Sequence, residues 1–314
     1  MKIGIACVYY YMGDQEWLLR LQLQQIARCT TGALFKVYAA ANRLPPNLRA
    51  VLSAESFVRI VELPQFLGEG NEEHAHYLDR LLETAYDDGC THLCSLDADS
   101  FPILPGWPDY LQSAMRRCGA AFAAVHRTEN LDRYLPHPSG YFMTREFYGR
   151  ARPLLLPGGA KRIVNGMEAF LAATAQRPDT GIGYGWYLWE HNVPWLRLER
   201  SNRMNLHYLI AGVYGNTFFH MGAVSRAPLF SRDARTTILW HIRKWKQLPV
   251  LWRLYSAVLS VRVRRIRKIV DVVKARLIAD PSGFFAELQG SPKPCSQAMC
   301  CVHGRALPGD RGAT

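Results

Sequence analysis

The sequence predicts an α/β fold, a mostly parallel mixed sheet with helices on both faces, followed by a C-terminal helical extension. Two observations carry this. Through the first hundred residues, β-rich runs alternate with segments of helical periodicity, and strands joined through helices pair in parallel with both faces covered. Further on, apolar residues recur at gaps of three or four from Leu248 to Leu277, a helical stripe beyond the alternating region. The expected extents are an α/β domain over 1–226, a basic amphipathic extension over 227–279 and a disordered, Pro/Gly-rich tail over 280–314.

In chain order, "KIGIACVYY" (2–10) reads as the first strand, and "DQEWLLRLQLQQIARC" (14–29) as a helix behind the N-cap candidate Asp14. "LFKVYAAAN" (34–42) and "FVRIVELP" (57–64) are the second and third strands. "NEEHAHYLDRLLETAYDDG" is a helix from Asn71 that stops near Gly89, and "THLCSLDAD" (91–99) is the fourth strand. "GWPDYLQSAMRRCG" (106–119) is a helix and "AAFAAVHR" (120–127) a strand. A loop, a short strand and a helix then follow within 131–151. Beyond the Pro/Gly-rich loop 152–162 come a helix in "NGMEAFLAATAQ" (165–176) and the aromatic helix "GYGWYLWEHN" (183–192), opened by Asp179-Thr180-Gly181. "VPWLRLER" (193–200) and "GNTFFHMG" (215–222) are strands.

The 314 residues carry a formal net charge of +12, and residues 226–276 hold 14 Lys/Arg against only Asp233 and Asp271. The rest of the chain is neutral, so it offers no second basic face and nucleic acid is disfavoured as a partner. Eight scattered cysteines are too few for a disulfide scaffold; Cys7 and Cys94 read as core thiols. "PCSQAMCCVHG" (294–304) matches no standard zinc spacing. The first residues lack a small-residue cleavage site, and the longest apolar stretch, around 248–261, is broken by Arg253 short of the roughly 18 residues a membrane span needs. A cytoplasmic setting, peripheral on the inner face of a membrane, is the expectation.

"CTHLCSLDADSFP" (90–102) is apolar through Leu93, Cys94 and Leu96, then ends in Asp97 and Asp99. Side chains i and i+2 of an extended segment project to one side, so both carboxylates reach one cation. Oxygen donors suit Mn²⁺ or Mg²⁺, which keep coordination positions for phosphate oxygens and neutralise a departing diphosphate. The plainer alternative is a solvated turn capped by Asp99.

Three blocks carry a resemblance: "HAHYLDRLLETAYDDGCTHLCSLDADSFP" (74–102), "YLPHPSGYFMTREFY" (134–148) and "FFHMGAVSR" (218–226). Over roughly residues 1–226 the chain resembles the GT-A, Rossmann-like fold of nucleotide-sugar glycosyltransferases, in their bacterial family 2-like branch. The resemblance implies a metal-dependent transferase that moves a sugar from a nucleoside diphosphate donor, a UDP-sugar, to a hydroxyl acceptor with inversion. A glycolipid or polysaccharide precursor would be the acceptor. Residue by residue, it makes Asp99 the main metal ligand and Asp97 a contact to metal or donor ribose. It brings His220 to the metal or diphosphate and Arg226 to the diphosphate. Tyr9, Tyr10 and Asn42 fall where the base and ribose are held, and His76 and Asp79, three apart on one helix face, are donor contacts. Asp179 is the first choice for the base that takes the acceptor's proton and Glu168 the second, although "PDTG" stands where the family has a Glu-Asp pair. Tyr184, Trp186, Tyr187 and Trp189 offer an apolar wall for the acceptor. Core packing, turn hydrogen bonds and helix capping are the alternatives for these residues taken singly.

Trp240, Trp245, Trp252 and Tyr255 lie among His241, Arg243, Lys244, Lys246 and Arg253, ahead of an Arg-rich stripe. Residues 240–277 thus fit a helix lying in an anionic membrane surface, each Lys/Arg contributing about 1 kcal/mol; packing on the domain or on a second copy is the alternative. Two other classes compete with the transferase. A nucleotidyltransferase acting on a sugar phosphate wants a Gly-rich phosphate loop after the first strand, which "VYYYMGDQEW" (8–17) lacks. A non-catalytic membrane-docking protein on a degenerate transferase domain would bind no nucleotide sugar.

Overall fold

The computed structural model describes residues 1–11, 15–68, 70–130, 132–157, 166–202, 210–222, 249–289 and 299–302; within 249–263 only the side chain of Val261 is described. Strands β1 (Lys2–Val8), β2 (Leu34–Ala40), β3 (Val58–Ile60) and β4 (His92–Asp97) pair in parallel in the order β3-β2-β1-β4. Helices α1 (Glu16–Cys29), α2 (Pro46–Ser53) and α3 (Asn71–Asp87) connect them. The sheet continues through β7 (His137–Thr144), β6 (Phe122–His126), β8 (Trp195–Glu199) and β11 (Met299–Val302), to eight strands. Only β7 and β11 run against the other six.

Period-two alternation decides which face each residue serves. Along β1, Ile3, Ile5 and Cys7 pack with Leu18, Leu19 and Ile26 of α1, whereas Ala6 and Val8 pack with Leu78, Leu81 and Ala85 of α3. Gly4 shares the α3 face, where a Cβ would stand 2.5 Å from Ala85 Cβ, so α3 rests directly on the backbone of β1. Burial of six of the seven β1 residues is the signature of a strand covered on both sides.

A second sheet of three strands, in the order β5-β10-β9, joins β5 (Ser100–Pro102) to β10 (Phe218–Gly222) and β9 (Ile210–Tyr214). Helices α4 (Trp107–Arg117), α5 (Arg145–Ala151), α6 (Met167–Thr174) and α7 (Ile182–Glu190) complete the α/β body. Strands β5 and β9 and helix α2 were not expected from the sequence. The strands, of three and five residues, are too short for periodicity to mark, and α2 is only two turns behind Pro45-Pro46.

The C-terminal region corrects two expectations. Residues 281–289 and 299–302, expected in a disordered tail, form helix α9 (Pro281–Gln289) and the edge strand β11, whose Met299–Val302 pair with Trp195–Leu198. The apolar stripe of α8 (Pro249–Ala279), expected to face lipid, is buried in protein at Ile266, Val270, Val273 and Leu277, in the core that also holds Ile3 and Ile5. Phe284, Phe285 and Leu288 of α9 close the same core. Trp240, Trp245 and Asp14 lie outside the described residues, and Gln15 is the residue before α1. Among the described residues, no helix is long and apolar enough to cross a membrane.

Candidate active site

Because β1, β2, β4 and β6 run the same way, their carboxyl ends deliver Tyr9–Tyr11, Asn42, Asp97 and Arg127 to one edge of the sheet. There they border a cleft of about 680 Å³. Its floor is the turn after β4. Gln22 of α1, fully buried, donates through Nε2 to the Asp97 and Ser100 carbonyls, both at 2.8 Å. Tyr11 Oη donates to Ala98 O at 2.9 Å, and Ser100 Oγ accepts from Asp97 N at 3.0 Å and donates to Ser139 O at 2.6 Å. These bonds satisfy the backbone of the turn and leave its two carboxylates facing the cleft.

The small sheet brings His220 to them. Strand β5 starts one residue after Asp99, and β10 pairs with it so that His220 stands opposite Ser100, with Met221 N donating to Asp99 O at 3.0 Å. His220 Nε2 is then 3.3 Å from Asp99 Oδ1 and 3.7 Å from Asp97 Oδ2. One ligand atom from each of the three residues lies within 4.8 Å of the others. Asp97 Oδ1 is buried without a hydrogen-bond partner, an expensive state for an anionic oxygen unless a cation answers it. Two carboxylates and one imidazole at these spacings fit Mn²⁺ or Mg²⁺.

Two further histidines flank Asp97. His74 Nε2, in the first turn of α3, is 3.6 Å from Oδ1. His137 Nδ1, at the start of β7, is 3.9 Å from Oδ2 and 2.8 Å from Ser139 Oγ. Arg127, half-buried at the cleft wall, is bound through Nε to Asp132 Oδ2 at 2.7 Å. Burial alone would lower its pKa, but Asp132 more than offsets this and the guanidinium is held above its ordinary value, a fixed positive charge beside the cleft.

The other expected residues divide. Tyr9, Tyr10 and Asn42 line the cleft. Tyr9 is buried and its phenol is pushed well above the ordinary range by burial, so it stays neutral. Tyr10 is exposed at the rim beneath the Arg43 guanidinium, 5.9 Å from the ring centroid. Asn42 Nδ2 donates to Leu63 O at 2.8 Å. Asp179 is half-buried on the wall, and its Oδ1 accepts from Asn71 Nδ2 at 2.7 Å and Thr180 N at 2.8 Å. It does not cap α7, since Gly181 is the residue before that helix.

Four expectations are corrected. His76 does not face the cleft; its ring stacks on Phe66 with centroids 4.6 Å apart. Asp79 is half-buried on the far side of α3, where both carboxyl oxygens accept from Leu155 N at 3.1 Å. At about 100° per residue, His76 lies some 200° around the helix from His74, so the histidine that meets Asp97 comes two residues earlier than expected. Glu168 is exposed in the first turn of α6 and takes no part in the cleft wall. The aromatics of α7 form no acceptor wall. Tyr184 is fully buried against Phe122, Trp189 packs on Phe170, and Trp186 and Tyr187 belong to the same core. Arg226 lies outside the described residues.

Sequence reasoning missed His74, His137 and Arg127. Arg127 alone had a local signal, its place just past the carboxyl end of a strand.

No protein-family model matches the chain, and no curated protein matches it. Among solved structures it is similar to S. aureus TarS residues 1–349, at 10% identity over 75% of this chain and 66% of that one, with a TM-score of 0.42. It is also similar to a CMP:2-keto-3-deoxy-manno-octonic acid synthetase complexed with CTP, at 12% identity over 63% and 90% of the two chains, with a TM-score of 0.37. The galactosyltransferase LgtC in complex with donor and acceptor sugar analogues is a third, at 13% identity over 60% and 70%, with a TM-score of 0.35. The chain thus spans just under two thirds of the TarS fragment.

Proposed function

We propose that the protein is a metal-dependent glycosyltransferase that moves a sugar from a nucleoside diphosphate donor, a UDP-sugar, to a hydroxyl acceptor with inversion. The observation that carries this is the convergence of Asp97, Asp99 and His220 on the floor of a cleft large enough for a nucleotide sugar. These three residues would hold Mn²⁺ or Mg²⁺. When bound, the cation neutralises the charge that develops on the leaving diphosphate. Arg127, ion-paired with Asp132, sets its guanidinium on the same side, and Tyr10 offers an exposed ring face for the base at the rim. Asp179, held toward the cleft by Asn71, takes the proton of the acceptor hydroxyl. The acceptor is a lipid-linked or glycan hydroxyl. The outer face of α8, with Arg264, Arg265 and Lys268 exposed beside Val261 and Val272, is proposed to rest on an anionic membrane.

A screen of nucleotide sugars with Mn²⁺, reading release of free diphosphate, tests donor class and metal together. Calorimetric UDP binding that is indifferent to Mn²⁺ and to Asp99→Ala would overturn the reading. Nucleotidyl transfer onto a sugar phosphate is the second possibility, and the residues at its expected phosphate loop count against it. The segment after β1 presents the rings of Tyr9, Tyr10 and Tyr11 to the cleft. Pyrophosphate release from a nucleoside triphosphate and a sugar phosphate would favour it. Flotation with anionic liposomes that survives replacement of Arg264, Arg265 and Lys268 by Glu would dismiss the membrane contact.

A further inference from the structure

Helix α3 meets the 179–183 corner directly at one point and through Leu155 at a second. At its first residue, Asn71 Nδ2 donates to Asp179 Oδ1 at 2.7 Å. Eight residues on, about 12 Å along the axis, Asp79 is half-buried and both its carboxyl oxygens accept from a single backbone group, Leu155 N. Leu155 is itself fully buried, and its carbonyl accepts from Gly181 N at 2.8 Å and Gly183 N at 3.3 Å. The same short stretch carries Asp179, whose carbonyl accepts from Ile182 N at 3.0 Å. The corner has little room to move otherwise. A Cβ on Gly181 would stand 2.2 Å from Pro136 O, and one on Gly183 would stand 1.8 Å from Leu154 O.

A half-buried carboxyl group that is not part of the cleft wall and, among the described residues, pairs with no cation calls for a role. We propose that Asp79 is a positioning residue for Asp179: by fixing the Leu155 amide it fixes the Leu155 carbonyl, and through Gly181 and Gly183 it sets where the Asp179 carboxylate meets the acceptor. The role rests on the reading of Asp179 as the proton acceptor. Asp79 never contacts substrate. Glu83 one turn along α3, Tyr148 of α5, Tyr141 of β7 and Tyr184 of α7 are the titratable groups that face it. Among the described residues an acid and three phenols face it, and burial raises the pKa of Asp79 to about 8, so the carboxyl holds its proton at neutral pH. Above that pH a charge appears beneath the corner, and among the described residues no cation faces it.

The test uses the full chain as Asp79→Ala and Asp79→Asn. The amide oxygen of Asn still accepts from Leu155 N, whereas Ala cannot. Amide hydrogen exchange at Leu155, Gly181 and Gly183 is read beside Mn²⁺-UDP binding by calorimetry and turnover against pH. Loss of one buried hydrogen bond corresponds to roughly tenfold. Asp79→Ala is therefore expected to speed exchange at all three amides, and to lower kcat, by about that factor, with Mn²⁺-UDP affinity unchanged. Asp79→Asn restores both and removes the fall in activity above about pH 8. Exchange at Gly181 and Gly183 that stays as in wild type in the Ala variant overturns the positioning role. So does an affinity for Mn²⁺-UDP that falls in step with kcat. Should no donor be turned over at all, the transferase reading fails, while the exchange result still decides whether Asp79 holds the corner.

Discussion

Phe285 lies in a stretch whose Pro and Gly content points to disorder, yet it is 3% exposed, with its ring 5.8 Å from that of Phe101 and 5.2 Å from that of Phe219. Those partners sit on β5 and β10, the strands that begin beside Asp99 and carry His220. Phe285→Ala removes a buried aromatic from a packed core, which costs about 3–5 kcal/mol. For a chain of this length that is a fall of roughly 5–8 °C in melting temperature. Urea and thermal unfolding followed by circular dichroism measure it, and Phe285→Leu, which keeps most of the volume, should cost under half as much. The effect should reach the site, because the β5–β10 ladder sets the spacing of Asp99 and His220. Mn²⁺ affinity is expected to fall about tenfold in the Ala variant under conditions where it remains folded. A melting temperature within 1 °C of wild type would refute the reasoning, since that is the behaviour of an unstructured tail.

The fold and site make further predictions. The pKa of Asp79 is raised from 3.8 to about 8. Between those values only the folded chain keeps the proton, so stability is full below about pH 4, falls as pH rises and levels off above 8. At about 1.4 kcal/mol per unit the loss is on the order of 5 kcal/mol, and urea melts of Asp79→Asn should show a correspondingly flatter pH profile. Asp99→Ala and His220→Ala should each weaken Mn²⁺ binding at least tenfold by calorimetry, and His74→Ala, which touches only Asp97, about tenfold. Asp179→Asn should abolish turnover with donor affinity retained, while Glu168→Gln, exposed and remote from the cleft, should leave kcat within about twofold. Gly183→Ala drives a Cβ to 1.8 Å from Leu154 O and should cost about 2 kcal/mol or more by urea melt.

What the sequence made legible is what short-range periodicity encodes. The β/α alternation placed β1 to β4 within a few residues. The period of two along "LCSLDAD" predicted Asp97 and Asp99 on one side of an extended strand end; the structure sets both beside the cleft, but β4 ends at Asp97 and a turn carries Asp99 there. Helical phase was the first limit. His76 with Asp79 and His74 with Asn71 are equally good pairs by spacing, and only the contact of α3 with β1 at Gly4 and Ala85 decides which side turns to the crevice. Convergence was the second. His137, Arg127 and His74 come from β7, the end of β6 and α3, and no local pattern announces that they meet.

The C-terminal stripe shows the deepest ambiguity. A 31-residue helix with apolar residues at gaps of three or four and cations between them satisfies lipid and protein partners equally, because both bury one face and leave the other wet. What separates them is a complementary apolar surface elsewhere in the chain. Here it is supplied by the body of the domain and by α9, which follows α8 after Asp280 and delivers Phe284, Phe285 and Leu288 into the core that takes Val273 and Leu277. The cations are thereby turned outward, with Arg264, Arg265, Arg267 and Lys268 all exposed. So the apolar face of α8 closes the core together with α9, whose Phe284 and Phe285 pack on the small sheet, and any attraction to an anionic surface must come from the opposite, charged face. Reversing those charges should leave stability within about 0.5 kcal/mol while removing the attraction, a separation that a helix buried in lipid along its apolar stripe would not allow.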